Sequence, residues 1–309
     1  MDVRRVALTV CVLLTVAVSA PSAVIEWQGG DDWWSAANWT VDGVPDQEID
    51  SATPATFTND QFTFASGSVQ RNGRIEIKGA AGSFRLSGGT MSITGQNNSS
   101  ALNIQTGAAF VVDGTGQLVL AVNTFGNRTF GGDEGSFTIA EDGVLTVESQ
   151  LQITDGFHFL MQGNADVTAD HVKHATSASA TSLFTLEGGT LTLLSDNPLQ
   201  TPSLGSSSPG NRFNFTGEAG SASIVHTNAT LAGKTLADKM ATGFLAIDGT
   251  VVKDTTTVVN GRWFDLTAVG DTQTVTLVPE PTSLALLGLP ALGALLRRRR
   301  KPALLRAPR

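Results

Sequence analysis

Residues able to bind a metal, move a proton or attack a substrate are few in this sequence, and the histidines are the first to weigh. There are four: His158, His171, His174 and His226. The run "HVKH" at 171–174 sets two of them three residues apart, which on a strand sends them to opposite faces. No third ligand lies close by, whereas a zinc site needs at least three protein donors. Solvated surface histidines are therefore expected, and no metal is assigned. Carboxylates gather at Asp42, Asp46, Glu48 and Asp50 and again at Asp133 and Glu134. Neither group has the spacing of an EF-hand or of a calcium-binding glycine nonapeptide, so both read as polar loops. The nucleophile elbow Gly-x-Ser-x-Gly, the P-loop and the HExxH zinc motif are all missing from the sequence.

Aromatic rings offer a different chemistry, stacking on sugars. Trp33, Trp34 and Trp39 lie in "WQGGDDWWSAANWTVDGVP" at 27–45. Adjacent strand residues point to opposite faces, so at most one of Trp33 and Trp34 could meet a given sugar. Packing over an open end of the fold is the preferred role, with glycan contact as the alternative. Six Asn-x-Ser/Thr sequons begin at Asn38, Asn97, Asn98, Asn127, Asn214 and Asn228; they are read as incidental. The chain is expected to be non-catalytic and to need no cofactor.

The elements that must position these residues are strands. Charged residues make up 16% of the 309, glycines number 33 and there is no tyrosine, a balance suited to short strands and tight turns. "FRLSGGTMSI" at 84–93 and "FTLEGGTLTL" at 184–193 share Phe, Leu, Gly, Gly and Thr in register. "FTIAEDGVLTV" at 137–147 repeats the plan, with looser copies at 102–112, 213–225 and 244–252. Period-two alternation broken by glycine marks half-buried strands and turns. Two all-β architectures fit. In a parallel β-helix the glycines form corners and like residues stack from coil to coil. In an antiparallel sandwich the same glycines close hairpins. The many irregular copies and the low charge favour the β-helix. Coils of about 20 residues over 24–260 predict ten to twelve levels and a rod of about 50 Å at strand spacing. Phe84, Phe137 and Phe184 should point inward, and residues 254–277 should close the domain.

The two ends carry a different kind of information. Arg4 and Arg5 precede the apolar "VALTVCVLLTVAVSA" and a small-residue exit, the pattern of a secretory signal peptide over residues 1–23. Cys11, the one cysteine, lies inside that apolar run, so disulfides are excluded from the exported chain. Residues 24–281 carry 11 cations and 27 acids, a net −16 within the overall −8. So acidic a body is a poor partner for nucleic acid. At the far end "VPEP" (Val278, Pro279, Glu280, Pro281) precedes the apolar "TSLALLGLPALGALL" and then Arg297, Arg298, Arg299 and Arg300. The prolines should hold the first part extended. The apolar part is short for a span and ends on a positive stop.

These three parts, in this order, resemble a PEP-CTERM sorting signal at 278–301. The resemblance implies an exosortase-type enzyme as partner, a transient inner-membrane anchor formed by a transmembrane helix over 283–296, and delivery to the cell surface or extracellular matrix. A short cytoplasmic tail, 302–309, would follow. The Trp-rich opening resembles that of bacterial autotransporter-associated surface β-helix proteins, which implies a β-solenoid domain over 24–277 with a Trp-rich N-terminal cap. The expected function is that of a non-catalytic exported surface or matrix protein. A carbohydrate-binding module for an extracellular polysaccharide is the alternative, and a β-helix polysaccharide-degrading enzyme using paired carboxylates is the lesser one.

Overall fold

A computed structural model of the chain describes residues 24–27, 39–41, 44–45, 55–58, 61–72, 75–94, 102–104, 107–121, 130–131, 135–153, 156–173, 183–200 and 212–280. The segments expected to form a signal peptide (1–23), a transmembrane helix (283–296) and a cytoplasmic tail (302–309) lie outside them. Among the described residues no helix is long and apolar enough to cross a membrane.

The repeated sequence pattern becomes repeated coils. Ser83–Leu86 buries Phe84 and Leu86 and turns Ser83 and Arg85 outward. After the corner at residues 87–89, Thr90–Thr94 buries Met91 and Ile93. These two strands do not pair with each other; each pairs in parallel with its counterpart one coil before and one coil after. Gly88-Gly89 is therefore a corner between two sheets and not a hairpin turn, which decides for the solenoid over the sandwich. Gly188-Gly189 leads in the same way from Leu183–Leu186 to Gly189–Leu193.

Nine parallel strands build the first face: Val24–Trp27, Gln61–Phe64, Ser83–Leu86, Ala109–Val112, Ser136–Ile139, His158–Met161, Leu183–Leu186, Phe213–Phe215 and Leu245–Ile247. The second face stacks Ser68–Asn72, Thr90–Thr94, Gln117–Ala121, Val144–Gln152, Asp166–Lys173, Gly189–Leu193 and Ala222–His226. Ala55–Thr58, Ile75–Lys78, Leu102–Ile104 and Phe130–Gly131 form a shorter third face. Successive coils advance by 22 residues from Phe62 to Phe84 and by 32 from Phe213 to Leu245. The coils are thus longer and fewer than a 20-residue repeat predicts, because the connections beyond the second face vary in length. Nine levels at strand spacing span about 40 Å.

Register turns the repeated phenylalanine into a ladder. Phe62, Phe84, Phe110, Phe137, Phe159, Phe184 and Phe213 occupy one inward column. All six successive ring pairs have centroids between 4.2 and 5.3 Å apart. Phe84, Phe137 and Phe184 are fully buried, as the alternation predicts. Opposite them runs the column Met91, Leu118, Leu145, Val167, Leu191, Ile224 and Val275.

Antiparallel strands close both ends. Trp39–Val41 and Val44–Pro45 add to Val24–Trp27, with Trp27 opposite Trp39. At the other end Thr250–Val252 turns back on Leu245–Ile247. Thr272–Pro279 runs against Ala222–His226 and pairs in turn with Arg262–Val269. Residues 254–277 do close the domain. One helix was not anticipated: Leu236–Ala241, started by a capping box in which Thr235 and Asp238 satisfy each other's backbone N–H groups.

Candidate functional site

The last hairpin is where the β-domain meets the sorting segment. Its turn, Gly270-Asp271, brings Val269 opposite Thr272. Alternation along Thr272–Pro279 buries Val275 and Leu277 in the core. On one side the strand pairs with Ala222–His226 as far as Thr276, opposite Ser223; one residue on, the Leu277 carbonyl accepts the Gly220 N–H at 2.5 Å. On its other side pairing continues to the strand end, with Trp263 opposite Val278 and Arg262 opposite Pro279. A proline, which has no N–H to give, fits where a strand has lost one neighbour.

Three contacts fix this end. The indole Nε1–H of Trp263 donates to the Pro279 carbonyl at 3.2 Å. The Glu280 N–H donates to the Gly261 carbonyl at 2.8 Å. Arg262 sends its guanidinium to the Gly217 carbonyl and pairs with the Asp248 carboxylate. Asp248 also accepts from Asn260 Nδ2 at 2.7 Å, and these two partners, Asn260 first, hold its carboxyl below the usual range.

Residues 277–301 match the protein family described as the PEP-CTERM protein-sorting motif. The chain carries a PEP-CTERM sorting signal. That signal implies export to the cell envelope or surface and processing by an exosortase-type enzyme. No curated protein and no solved structure matches the chain significantly.

The PEP-CTERM signal does not begin in a free linker. The sequence places Val278, Pro279, Glu280 and Pro281 in an extended segment beyond a β-domain that ends at residue 277. Val278 and Pro279 instead end the last strand, and Val278, Pro279 and Glu280 are all half-buried. Alternation alone could not reveal this, because the partner that extends the strand is set by the hairpin register. Pro281, Arg297, Arg298, Arg299 and Arg300 lie outside the described residues.

The other sequence candidates do not converge. Trp33 and Trp34 lie outside the described residues, as do His174, Asp42, Asp46, Glu48, Asp50, Asp133 and Glu134. His158 is exposed on the first face, and His171 is half-buried with its Nε2 3.2 Å from Gln150 Oε1. His226 corrects the expectation of a solvated ring. It is fully buried, with Nε2 2.8 Å from the Ser195 carbonyl. Its position explains why: it continues the inward column of Ile93, Leu120, Val147, Ala169 and Leu193. Among the described residues no three His, Cys, Asp or Glu side chains gather as a metal site.

The carboxylates that the coils bring together hold neighbouring coils to one another. Asp113 pairs with Arg85 at 2.8 Å. Glu141 Oε2 accepts the Gly114 N–H at 3.0 Å. Asp142 accepts from Asn164 at 3.0 Å, and Glu187 from Gln162 at 2.8 Å.

Proposed function

We infer that the chain is a non-catalytic exported protein whose β-solenoid is delivered by its PEP-CTERM signal to the cell surface or extracellular matrix. The observation that carries this reading is the sorting motif at 277–301, continuous with the last strand of the solenoid. Support for a structural body comes from the use of its polar groups: Asp113, Glu141, Asp142 and Glu187 each serve contacts between coils. In this reading the apolar segment at 282–296 and the four arginines after it hold the chain in the inner membrane until an exosortase-type enzyme acts.

Fractionation of tagged protein tests the reading. Each arginine moved to a bilayer centre costs about 2.5–3.5 kcal/mol, so replacing Arg297, Arg298, Arg299 and Arg300 with neutral residues removes the stop. The expected result is a chain that is mislocalised, whereas Glu280→Ala leaves a full-length chain in the inner membrane. Normal processing of both variants would sink the proposal.

A further inference from the structure

The sorting motif and the β-domain share residues, and this overlap has a mechanical consequence. Leu277 is the first residue of the family match and also a fully buried core residue. From residue 278 onward the neighbour on the Ala222–His226 side has ended, and the segment is held through Gly261, Arg262 and Trp263. Arg262 in turn is fastened to two separate pieces of the last coil. It reaches the Thr216 and Gly217 carbonyls at the corner between the faces, and the Asp248 carboxylate in the turn that closes the first face.

We propose that this hairpin end is a latch: Trp263 and Arg262 are positioning residues that keep residues 278–280 in the last strand, so that processing requires the strand end to peel away from the folded domain. The inference rests on the sorting reading and adds a regulation to it. A processing enzyme must take hold of the segment around the Pro-Glu-Pro, and a backbone already paired with Gly261, Arg262 and Trp263 presents only its other edge. Fraying of a strand end is a local opening far less costly than global unfolding. Processing of the folded protein is then slow and tunable by the latch, while Val275 and Leu277 keep the rest of the strand in place.

Two measurements on the full chain test the latch. The first is amide exchange of the purified protein, comparing the Glu280 N–H with the Thr190 N–H, which donates to the Ala165 carbonyl deep in the solenoid. The second is a pulse–chase of processing in the exporting host, alongside a strain lacking its exosortase-type enzyme. Trp263→Phe keeps the ring and removes the donor to Pro279. Losing one hydrogen bond of ordinary net strength should raise both Glu280 exchange and the processing rate about two- to tenfold, with Thr190 exchange unchanged. Arg262→Gln is the second variant and should act in the same direction, which guards against a Trp263 variant that fails to fold. Faster Glu280 exchange with an unaltered processing rate would overturn the latch. So would a Glu280 amide that exchanges in the wild type at the rate of an unstructured chain. Processing that persists without the exosortase-type enzyme would instead remove the sorting reading, and Glu280 exchange would still decide whether the strand end is held.

Discussion

Gly89 sits at a corner where each coil rests on the one before it. Its φ is +73°, and a Cβ there would stand 2.4 Å from the Gly67 carbonyl oxygen. That same oxygen accepts the Thr90 N–H at 2.9 Å, so it cannot retreat without breaking the ladder. Gly189 repeats the arrangement, with φ +85° and 2.2 Å to the Ala165 oxygen. Alanine at either site should destabilise the domain by at least the about 1–3 kcal/mol of a strained backbone, measured by denaturant unfolding. Glu141 takes a left-handed φ of 55° without being glycine, and its carboxylate holds the Gly114 N–H of the preceding coil. At this scale acidity also matters. Burial lowers the pKa of His226 and of His171, favouring their neutral forms. The unfolded chain therefore binds protons that the fold refuses once the pH drops below about 6.5. Their neutrality supports the fold fully above that pH, and stability declines as the pH falls toward the depressed folded-state values. Thermal melts between pH 7.5 and 5.5 should show a falling Tm, and His226→Gln should flatten part of that slope.

Strands contribute through register more than through length, since most have only three to five residues. The phenylalanine column shows the effect: Phe137 lies between Phe110 at 5.3 Å and Phe159 at 5.1 Å, with no exposed surface. Stacked or tilted aromatic pairs add about 0.5–1.5 kcal/mol each beyond burial. Phe137→Ala should therefore cost about 3–5 kcal/mol, and Phe137→Leu clearly less, as read by equilibrium unfolding. The one helix among the described residues, Leu236–Ala241, depends on its cap. Thr235→Ala removes the acceptor for the Asp238 N–H and should cost about 1 kcal/mol, with faster exchange of that amide as the local signature.

Among the described residues the coils form a stack in which each strand pairs with its counterparts in the coils before and after, and stability should be close to a sum over coils. Removing residues 110–136 deletes one coil and joins Ala109 to Phe137, so that Phe84 meets Phe137 in unchanged register. Such a chain should keep its β circular dichroism and melt cooperatively at a lower temperature. Deleting only residues 110–122 should cost more stability than removing the whole coil, because the shortened coil can no longer set its inward residues on the columns of its neighbours.

Local chemistry and its position along the chain determined several features without help from the fold. The Phe-x-aliphatic alternation and the glycine pairs specify which side chains go inward and where the chain turns, since both depend on the immediate backbone. The Val-Pro-Glu-Pro, apolar and arginine order specifies a sorting signal, since a processing enzyme reads a contiguous segment. Hairpin or corner was not legible at Gly88-Gly89, because the two differ only in which distant strand accepts the hydrogen bonds. The burial of His226 could have been suspected from the alternation of Ala222, Ile224 and His226, but the column that encloses it is assembled from six coils. The holding of residues 278–280 was not legible either. Its contacts come from Gly261, Arg262 and Trp263, and only hairpin register brings those residues beside Pro279 and Glu280. Contacts between residues near in sequence are fixed by local propensity and spacing, whereas pairing across coils is chosen by the packing of the whole stack, and that choice belongs to the tertiary structure.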